Sequence, residues 1–361
     1  MLQDPSVPSC AASPYELLLA SRQLREREPH LRARDVAERL GVSEAELVAS
    51  RCGDGVTRLE ASWPNLIRAL PALGQVMVLT RNASCVHEKR GAFDHVEVGA
   101  TMGMVLNGAV DLRLFFRHWA FGFAVREEAR GRTLQSLQFF DVDGTAVHKV
   151  YLTERSDRDA WISLVGRFAA PVQSPLLDIR PAELPLPHRR ADAEVDVAAL
   201  REGWRTLRDP HDFFALLKQL EVTRTQALRL VGCEFARPVD GAAIRLALEQ
   251  AAADALPLML FVGSPGVVQI HTGPVHAVKP MGPWLNVLDE DFNLHLRTDQ
   301  VAESWVVKKP SPEGPVTSLE LYDADGTQIL QVFGKRKPGV PELAAWRALA
   351  DGLPEREIRH A

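Results

Sequence analysis

Apolar positions at helical spacing dominate the first fifty residues of the chain. Leu17 and Leu24 lie in a segment whose pattern predicts a helix over Pro14–Arg27. Residues 33–47 then show the pattern of two short helices joined at Gly41, because a glycine in the left-handed region commonly ends a helix. The chain is therefore expected to begin with helices.

The second helix of this pair begins with a capping-box signature, in which Ser43 is followed by Glu46. Two helices joined by a tight turn form either a DNA-binding helix-turn-helix or, far more often, part of a scaffold. Glu44 and Glu46 would bring like charge towards nucleic-acid phosphates. The pattern therefore favours a scaffold and makes binding to nucleic acid an unfavoured alternative.

After a short helix predicted over residues 63–70, the period of the pattern falls to two. β-Branched and aromatic residues now alternate with polar ones, which is typical of strands, and Asp143-Gly144 predicts a hairpin turn. A helix over residues 155–168 closes this half. The predicted strands are residues 76–80, 85–88, 95–98, 103–106, 110–116, 122–126, 134–140 and 146–151.

Five prolines between residues 169 and 190 predict a semi-rigid linker. Beyond it the same order of elements returns, with Asp240 as the predicted N-cap of one helix. The predicted elements are helices over residues 195–207, 211–220, 223–231 and 241–255, strands up to about residue 333, and a last helix over residues 341–353.

The second half repeats the first at a fixed offset. Residues 136–145 (SLQFFDVDGT) match residues 318–327 (SLELYDADGT), which lie 182 positions later, without a gap. Such a match indicates a duplicated unit. We therefore predict an α+β fold, a tandem structural repeat in which each half has N-terminal helices and a large, mostly antiparallel β-sheet. The predicted domains are residues 14–168 and 195–356, with a linker over residues 169–194.

The repeats differ at positions that could carry chemistry. Arg113 in the first half corresponds to His295 in the second at the same offset of 182 residues. His30 and His211 both follow a proline preceded by an acidic residue, but only His211 is followed by a run of aromatic and aliphatic residues. Asymmetry of this kind marks candidate site positions in a duplicated scaffold.

Composition narrows the class of protein. The 361 residues carry a net charge of −5, which gives no general affinity for nucleic acid. The four cysteines are widely spaced and form no C-x-x-C, which disfavours a disulfide scaffold and a thiolate zinc site and fits a reducing compartment. The sequence shows neither a signal-peptide pattern nor an apolar run of membrane-spanning length. We expect a soluble cytoplasmic protein.

The segment Asp209-Pro210-His211 has the pattern of a helix start, with Asp209 as N-cap and Pro210 at the first helical position. The positive end of the helix dipole would keep His211 neutral, with a ring nitrogen able to bind a metal. A neutral histidine beside the aromatic residues Phe213 and Phe214 suits the axial position of an iron porphyrin. The alternative is a surface histidine in a first helical turn.

Several motifs, in collinear order from about Pro14 to about Leu353, resemble those of one known family, the bacterial HemS/HmuS/ChuS/PhuS proteins. Members are cytoplasmic haem-binding proteins of haem-uptake systems, described as haemin-degrading factors or haemin transport proteins. The matching segments include Thr80-Arg81-Asn82, Val86-His87-Glu88-Lys89, Asp111-Leu112-Arg113, Ser136-Leu137-Gln138-Phe139-Phe140-Asp141, His148-Lys149-Val150-Tyr151, Asp209-Pro210-His211-Asp212-Phe213-Phe214 and Thr317-Ser318-Leu319-Glu320-Leu321.

The resemblance implies a haem site made of eight residues. His211 would be the proximal ligand of the iron, and Arg113 would act on the distal side as the catalytic residue. Phe333 stands where some members have a tyrosine, so any hydrogen bond from that phenol is absent. The remaining residues implied are Phe115 and Phe261 against the porphyrin, Gln331, Phe333 and Arg336 on the C-terminal side of the pocket, and Lys309 at a propionate.

The same resemblance implies a role in haem uptake and iron acquisition, with haem as ligand and substrate. A distal arginine fork could orient water or an oxygen species, which favours haem-oxygenase-like degradation with iron release over storage. Degradation would need an external electron donor, since no flavin or nicotinamide motif is present. The alternative is a non-enzymatic chaperone that delivers haem to a separate oxygenase. A haem-uptake transporter or a haem oxygenase would then be the protein partner, and a haem-responsive DNA-binding regulator is a third, less favoured hypothesis.

Overall fold

The computed structural model describes residues 13–106, 109–129, 131–181, 190–337 and 339–356. This part of the chain divides into two units. The N-terminal unit contains the described residues up to Arg81, those from Lys89 to residue 181, and Ser264–Val268. The C-terminal unit contains Asn82–Glu88 and the described residues of 190–263 and 269–356.

Helices are present in every segment whose apolar periodicity predicts one. The first helix begins with a capping box, in which the Glu16 carboxylate accepts the Ser13 N–H at 2.8 Å. The α-helices are α1 (Pro14–Arg27), α2 (Ala33–Leu40), α3 (Glu44–Ala49), α4 (Trp63–Ala69), α5 (Arg158–Phe168), α6 (Val197–Arg205), α7 (Phe213–Leu220), α8 (Arg224–Val231), α9 (Ala243–Ala253) and α10 (Ala344–Asp351).

Strands are present in both halves, as predicted. In the first half they are β1 (Val56–Arg58), β2 (Gly74–Arg81), β3 (Cys85–Gly91), β4 (Val96–Val98), β5 (Met102–Val105), β6 (Asp111–Phe115), β7 (Phe121–Ala129), β8 (Arg132–Phe140) and β9 (Ala146–Ser156). In the second half they are β10 (Ala236–Val239), β11 (Leu258–Gly263), β12 (Val267–Gly273), β13 (Val278–Met281), β14 (Trp284–Leu288), β15 (Phe292–Arg297), β16 (Glu303–Lys309), β17 (Val316–Tyr322) and β18 (Gln328–Gly334).

The two units repeat one strand order. In the N-terminal unit β1-β7-β8-β9-β2 form one antiparallel run and β4-β5-β6 another. In the C-terminal unit the corresponding runs are β10-β16-β17-β18-β11 and β13-β14-β15. The α+β fold class and the antiparallel sheets predicted from the sequence are confirmed. The predicted domain boundaries remain a prediction.

In the C-terminal unit, apolar side chains cover both faces of the five-stranded run. Helices α9 and α10 pack on one face, where Leu260, Leu319 and Val332 are fully buried. Helices α6 to α8 pack on the other face, where Trp204 and Tyr322 are fully buried. A strand buried on both faces can hold polar side chains only if they are hydrogen-bonded, so buried polar residues on this run are informative.

In the N-terminal unit, a buried ion cluster joins the α2–α3 hairpin to the sheet. Glu44, the first residue of α3, accepts hydrogen bonds from Lys149 on β9 and Arg81 on β2. Burial raises the pKa of the Glu44 carboxyl, but the two cations outweigh burial and hold that pKa at about 2. The predicted helical hairpin and its Ser43 cap are confirmed, and Glu44 faces the protein interior rather than solvent.

A histidine is buried on the sheet of the same unit. His148 is 1% exposed, and its Nδ1 lies 2.9 Å from Thr80 Oγ1. Its Nε2 is buried and has no hydrogen-bond partner among the described residues. Burial lowers the pKa of this imidazole to about 3, because the protonated ring would lose its hydration inside the protein.

An N-cap and a short strand in these two halves differ from the sequence prediction. Asp240 is not the N-cap of α9, because the helix begins at Ala243 with Ala242 as cap, and Asp240 Oδ1 instead accepts the Ala242 N–H at 2.8 Å in the preceding turn. Strand β1 was not predicted, because three residues are too few for a periodic signal. Within the described ranges, no helix is long and apolar enough to cross a membrane.

Candidate functional site

The segment that carries His211 is a tight turn rather than the start of an α-helix. Pro210–Asp212 form a single 3₁₀ turn, closed by the Asp212 N–H donating to the Asp209 carbonyl at 2.9 Å. Helix α7 starts only at Phe213, and Asp212 occupies its cap position without a side-chain hydrogen bond. Asp209 is therefore not the N-cap of α7, which is Asp212, and its carbonyl accepts the bond that closes the 3₁₀ turn before that helix.

Phe213 anchors this turn in the C-terminal unit. Its side chain is 3% exposed and packs edge-on against Trp204, with ring centroids 4.5 Å apart. Two cations also contact the ring: Lys309 Nζ lies 4.7 Å and Arg224 Cζ 5.4 Å from its centroid. Cations over an aromatic face are attracted by the ring quadrupole, so Phe213 is held by packing and by charge together.

Both cations are bound by one carboxylate, that of Glu320 on β17. Glu320 is fully buried and accepts hydrogen bonds from Lys309 Nζ at 2.8 Å and from Arg224 Nε and Nη2 at 3.2 Å. It also accepts from Ser318 Oγ at 2.8 Å and from the Tyr322 hydroxyl. Burial raises the pKa of the Glu320 carboxyl, but Arg224 and Lys309 outweigh burial and hold it far below its ordinary value.

Lys309 therefore has a partner inside the fold. Its side chain is nearly fully buried, and burial lowers the pKa of its ammonium despite the opposing attraction of Glu320. A propionate role, implied by the family resemblance, would require this ammonium to leave Glu320. That role remains a prediction.

An aromatic pair lies on the same face of the sheet. The rings of Phe261 on β11 and Phe333 on β18 meet edge to face, with centroids 5.1 Å apart, and both side chains are partly exposed. Phe261 pairs with Gln331 in the strand register, and Gln331 Nε2 donates to Glu320 at 3.0 Å. Phe261 thus stands opposite a residue that is hydrogen-bonded to Glu320, and Glu320 binds Lys309, which contacts the ring of Phe213.

Arg336 lies two residues beyond the end of β18. Its Nε is buried, and no hydrogen-bond acceptor lies within reach among the described residues. An unpaired buried N–H of a charged group is costly, so this guanidinium is a donor suited to an incoming carboxylate.

The two other predicted residues lie in the N-terminal unit. Arg113 on β6 forms an ion pair with Asp111 and donates from Nη1 to the Leu112 carbonyl at 3.2 Å, with 34% of its side chain exposed. Phe115 ends the same strand and is partly exposed. Their cross-strand neighbours Met104 and Met102 are exposed.

Residues supporting the predicted site were missed from the sequence. Arg224 and Glu320 are ordinary helix and strand residues in the sequence, and only the fold brings them together across 96 positions. Met102 and Met104 could have been found, because the strand period of two places them opposite Phe115 and Arg113.

Comparisons with known proteins agree with the duplicated architecture. The family model of the haemin-degrading HemS/ChuX domain matches the chain twice, at residues 41–168 and 221–353. The chain is 41% identical to the hemin transport protein HmuS of Yersinia pestis over 337 residues, which cover 93% of this chain and 96% of that protein.

Solved structures give the same result. The crystal structure of holo-PhuS, a haem-binding protein from Pseudomonas aeruginosa, is 49% identical and superposes with a TM-score of 0.93, covering 96% of this chain and 100% of that one. The haem-degrading enzyme ChuS of Escherichia coli O157:H7 is 37% identical and superposes with a TM-score of 0.89, covering 95% of this chain and all of the other. At these identities the likeness extends to sequence as well as fold.

Proposed function

Because the chain belongs to the family of the haemin-degrading HemS/ChuX domain, we propose that it binds haem on its C-terminal unit and degrades it in the cytoplasm. His211 would provide the axial nitrogen, and Phe261 and Phe333 would pack against the porphyrin. The observation that carries the proposal is that one sheet face holds both the partly exposed aromatic pair and the Glu320 cluster, whose Lys309 contacts Phe213 next to the His211 turn.

The residues fit the chemistry of the ligand. Haem is a flat apolar disc with an iron that takes axial nitrogen ligands and with two carboxylates on one edge. Partly exposed aromatic rings suit the disc, and the buried, unpaired Nε of Arg336 suits a propionate. Gln331, whose amide donates to Glu320, would line the same side of the pocket.

Degradation is supported by ChuS, which is described as a haem-degrading enzyme. Bound haem would supply the oxidative chemistry, with dioxygen as oxidant and electrons from an external donor. Within that scheme Arg113 would be the catalytic residue, because its N–H fork can hold an oxygen ligand or water in a fixed orientation. Phe115 on the same strand would add apolar contact.

A non-enzymatic chaperone is the second candidate, supported by HmuS, which is described as a hemin transport protein. Phe214, directly after the buried Phe213, is 75% exposed. An exposed aromatic side chain next to the His211 turn suits contact with a protein that receives haem, such as a separate oxygenase.

The deciding experiment is a hemin titration of the purified protein, followed by a reductant in air. We expect a saturable Soret band that decays under reductant, with release of iron and an open-chain tetrapyrrole. Catalase controls for peroxide, so decay that catalase abolishes would be non-enzymatic. A stable band with haem transfer to an added oxygenase would instead establish the chaperone, and absence of saturable binding would refute both.

Replacement of Arg113 by lysine separates binding from degradation. Lysine keeps the charge but lacks the planar fork, so haem binding should change little while decay of the Soret band slows by about 100-fold. The matched control is Arg297→Lys, because Arg297 is a strand arginine paired with an aspartate in the C-terminal unit and has no proposed role in degradation. Equal decay rates for Arg113→Lys and wild type would contradict the proposed role.

A further inference from the structure

Resting on the proposed function, we infer that Glu320 is the positioning residue for the axial ligand. Its carboxylate holds the two cations that fix Phe213, and Phe213 in turn fixes the turn that bears His211. Glu320 itself would touch neither iron nor porphyrin.

The first step is the convergence on Glu320. Lys309, Arg224, Ser318, Tyr322 and Gln331 all donate to this one buried carboxylate. A buried carboxylate with five donors has no freedom to reorient, so the positions of Lys309 and Arg224 are fixed by it. Gln331 connects the same carboxylate to the aromatic pair.

The second step leads from the cations to the turn. Lys309 Nζ and Arg224 Cζ lie 4.7 and 5.4 Å from the ring centroid of Phe213, and the indole of Trp204 closes another side. The 3₁₀ turn Pro210–Asp212 joins Phe213 directly, so the backbone of His211 is placed by the residue that the cations hold. Residues that orient a metal ligand commonly change metal affinity by about 10- to 100-fold when altered.

The N-terminal unit contains the same device with reversed charge. Ser43 caps α3 and Thr223 caps α8, and the first helical residues are Glu44 and Arg224. Glu44 binds two cations on the sheet of the N-terminal unit, Lys149 and Arg81. Arg224 binds an anion on the sheet of the C-terminal unit, Glu320. The carboxylates of the two clusters are both buried. Disrupting the Glu44 cluster therefore serves as the control, because it shows the effect of losing a buried ion cluster away from His211.

The test compares Glu320→Gln with Glu44→Gln in hemin titrations. Glutamine keeps the shape of the side chain and removes the charge. For Glu320→Gln we expect a 10- to 100-fold loss of haem affinity and a Soret band displaced towards that of His211→Ala. Added imidazole should restore the wild-type band position, because the defect lies in presenting the ligand. Glu44→Gln should lower the melting temperature and leave affinity within about twofold of wild type.

A double-mutant cycle distinguishes positioning from general support of the pocket. If Glu320 acts through His211, Glu320→Gln should have almost no effect on haem affinity when His211 is already alanine. Additive losses would overturn the inference, as would wild-type affinity and spectrum in Glu320→Gln.

If Glu320→Gln does not fold, Phe213→Leu decides the question, because it leaves the ion cluster intact and removes only the ring that the cations hold. A wild-type spectrum in Phe213→Leu would overturn the inference, and a spectrum displaced towards that of His211→Ala would support it. If the wild-type protein does not bind haem, the proposed function itself is refuted. If the wild-type protein binds haem and the variants are unaffected, only the inference about Glu320 is refuted.

Discussion

Replacing His211 by alanine is expected to abolish the imidazole-ligated haem spectrum and to weaken haem binding by more than about 100-fold. Altering a residue that supports a metal ligand commonly weakens metal binding by about 10- to 100-fold. We expect a larger loss here because the ligand itself is removed. The aromatic pair and Arg336 would still hold some haem, so a weak complex with a shifted Soret band should remain. The measurement is a hemin titration with haem transfer to a competing acceptor.

The chain offers a matched control for this variant in His30. It lies in the corresponding turn of the N-terminal unit, 181 residues earlier, after a proline and an acidic residue, and its side chain is 76% exposed. His30→Ala should leave both the spectrum and the affinity unchanged. If the two variants behave alike, His211 is not the ligand.

Acidification is expected to destabilise the N-terminal unit through His148. The pKa of this imidazole is about 3 in the folded protein, against 6.5 for an ordinary histidine. Between these values the unfolded chain binds a proton that the folded chain does not, so the free energy of unfolding falls as pH drops below 6.5. The loss is about 1.4 kcal/mol per pH unit, or about 2 kcal/mol by pH 5.

The experiment compares urea unfolding at pH 7.5 and pH 5 with that of a variant without the imidazole. The C-terminal unit supplies the replacement, since Val262 and Leu330 stand 182 residues after Thr80 and His148 and are fully buried. Thr80→Val with His148→Leu should remove about 2 kcal/mol of the pH dependence. Carboxyls whose pKa is lowered, such as Glu44, respond mainly below their ordinary value of 4.5 and contribute little at pH 5. Parallel stability curves for the two proteins would contradict the assignment.

The sequence predicts the repeated architecture well because its signals are local. Alternation marks the long strands, apolar periodicity marks α1, a capping box marks α3, and the ungapped match at 182 positions shows that one design occurs twice. Those features depend on residues within one turn or one strand of each other. Strand β1 and the 3₁₀ turn at Pro210–Asp212 are shorter than any such period, which explains why the first was missed and the second was predicted as helix.

The supporting residues of the candidate site could not be predicted in the same way. Nothing near Glu320 in the sequence shows that its partner is Arg224, because a buried ion pair depends on which helix packs over which strand. Lys309 was expected at a propionate, and in the fold its ammonium binds Glu320. Residue type alone cannot distinguish a cation reserved for a ligand from one already neutralised inside the protein.

The opposite polarity of the Glu44 and Arg224 anchors has a consequence for how a duplicated chain folds correctly. While both halves are incompletely folded, each helical hairpin could dock on the wrong sheet, since the capping helices and strand orders are alike. The hairpin of the first half on the second sheet would bury Glu44 beside Glu320, and the reverse error would bury Arg224 beside Lys149 and Arg81. Like charges buried together cost several kcal/mol, so we expect the charges to disfavour mismatched docking and to favour the pairing of each hairpin with its own sheet.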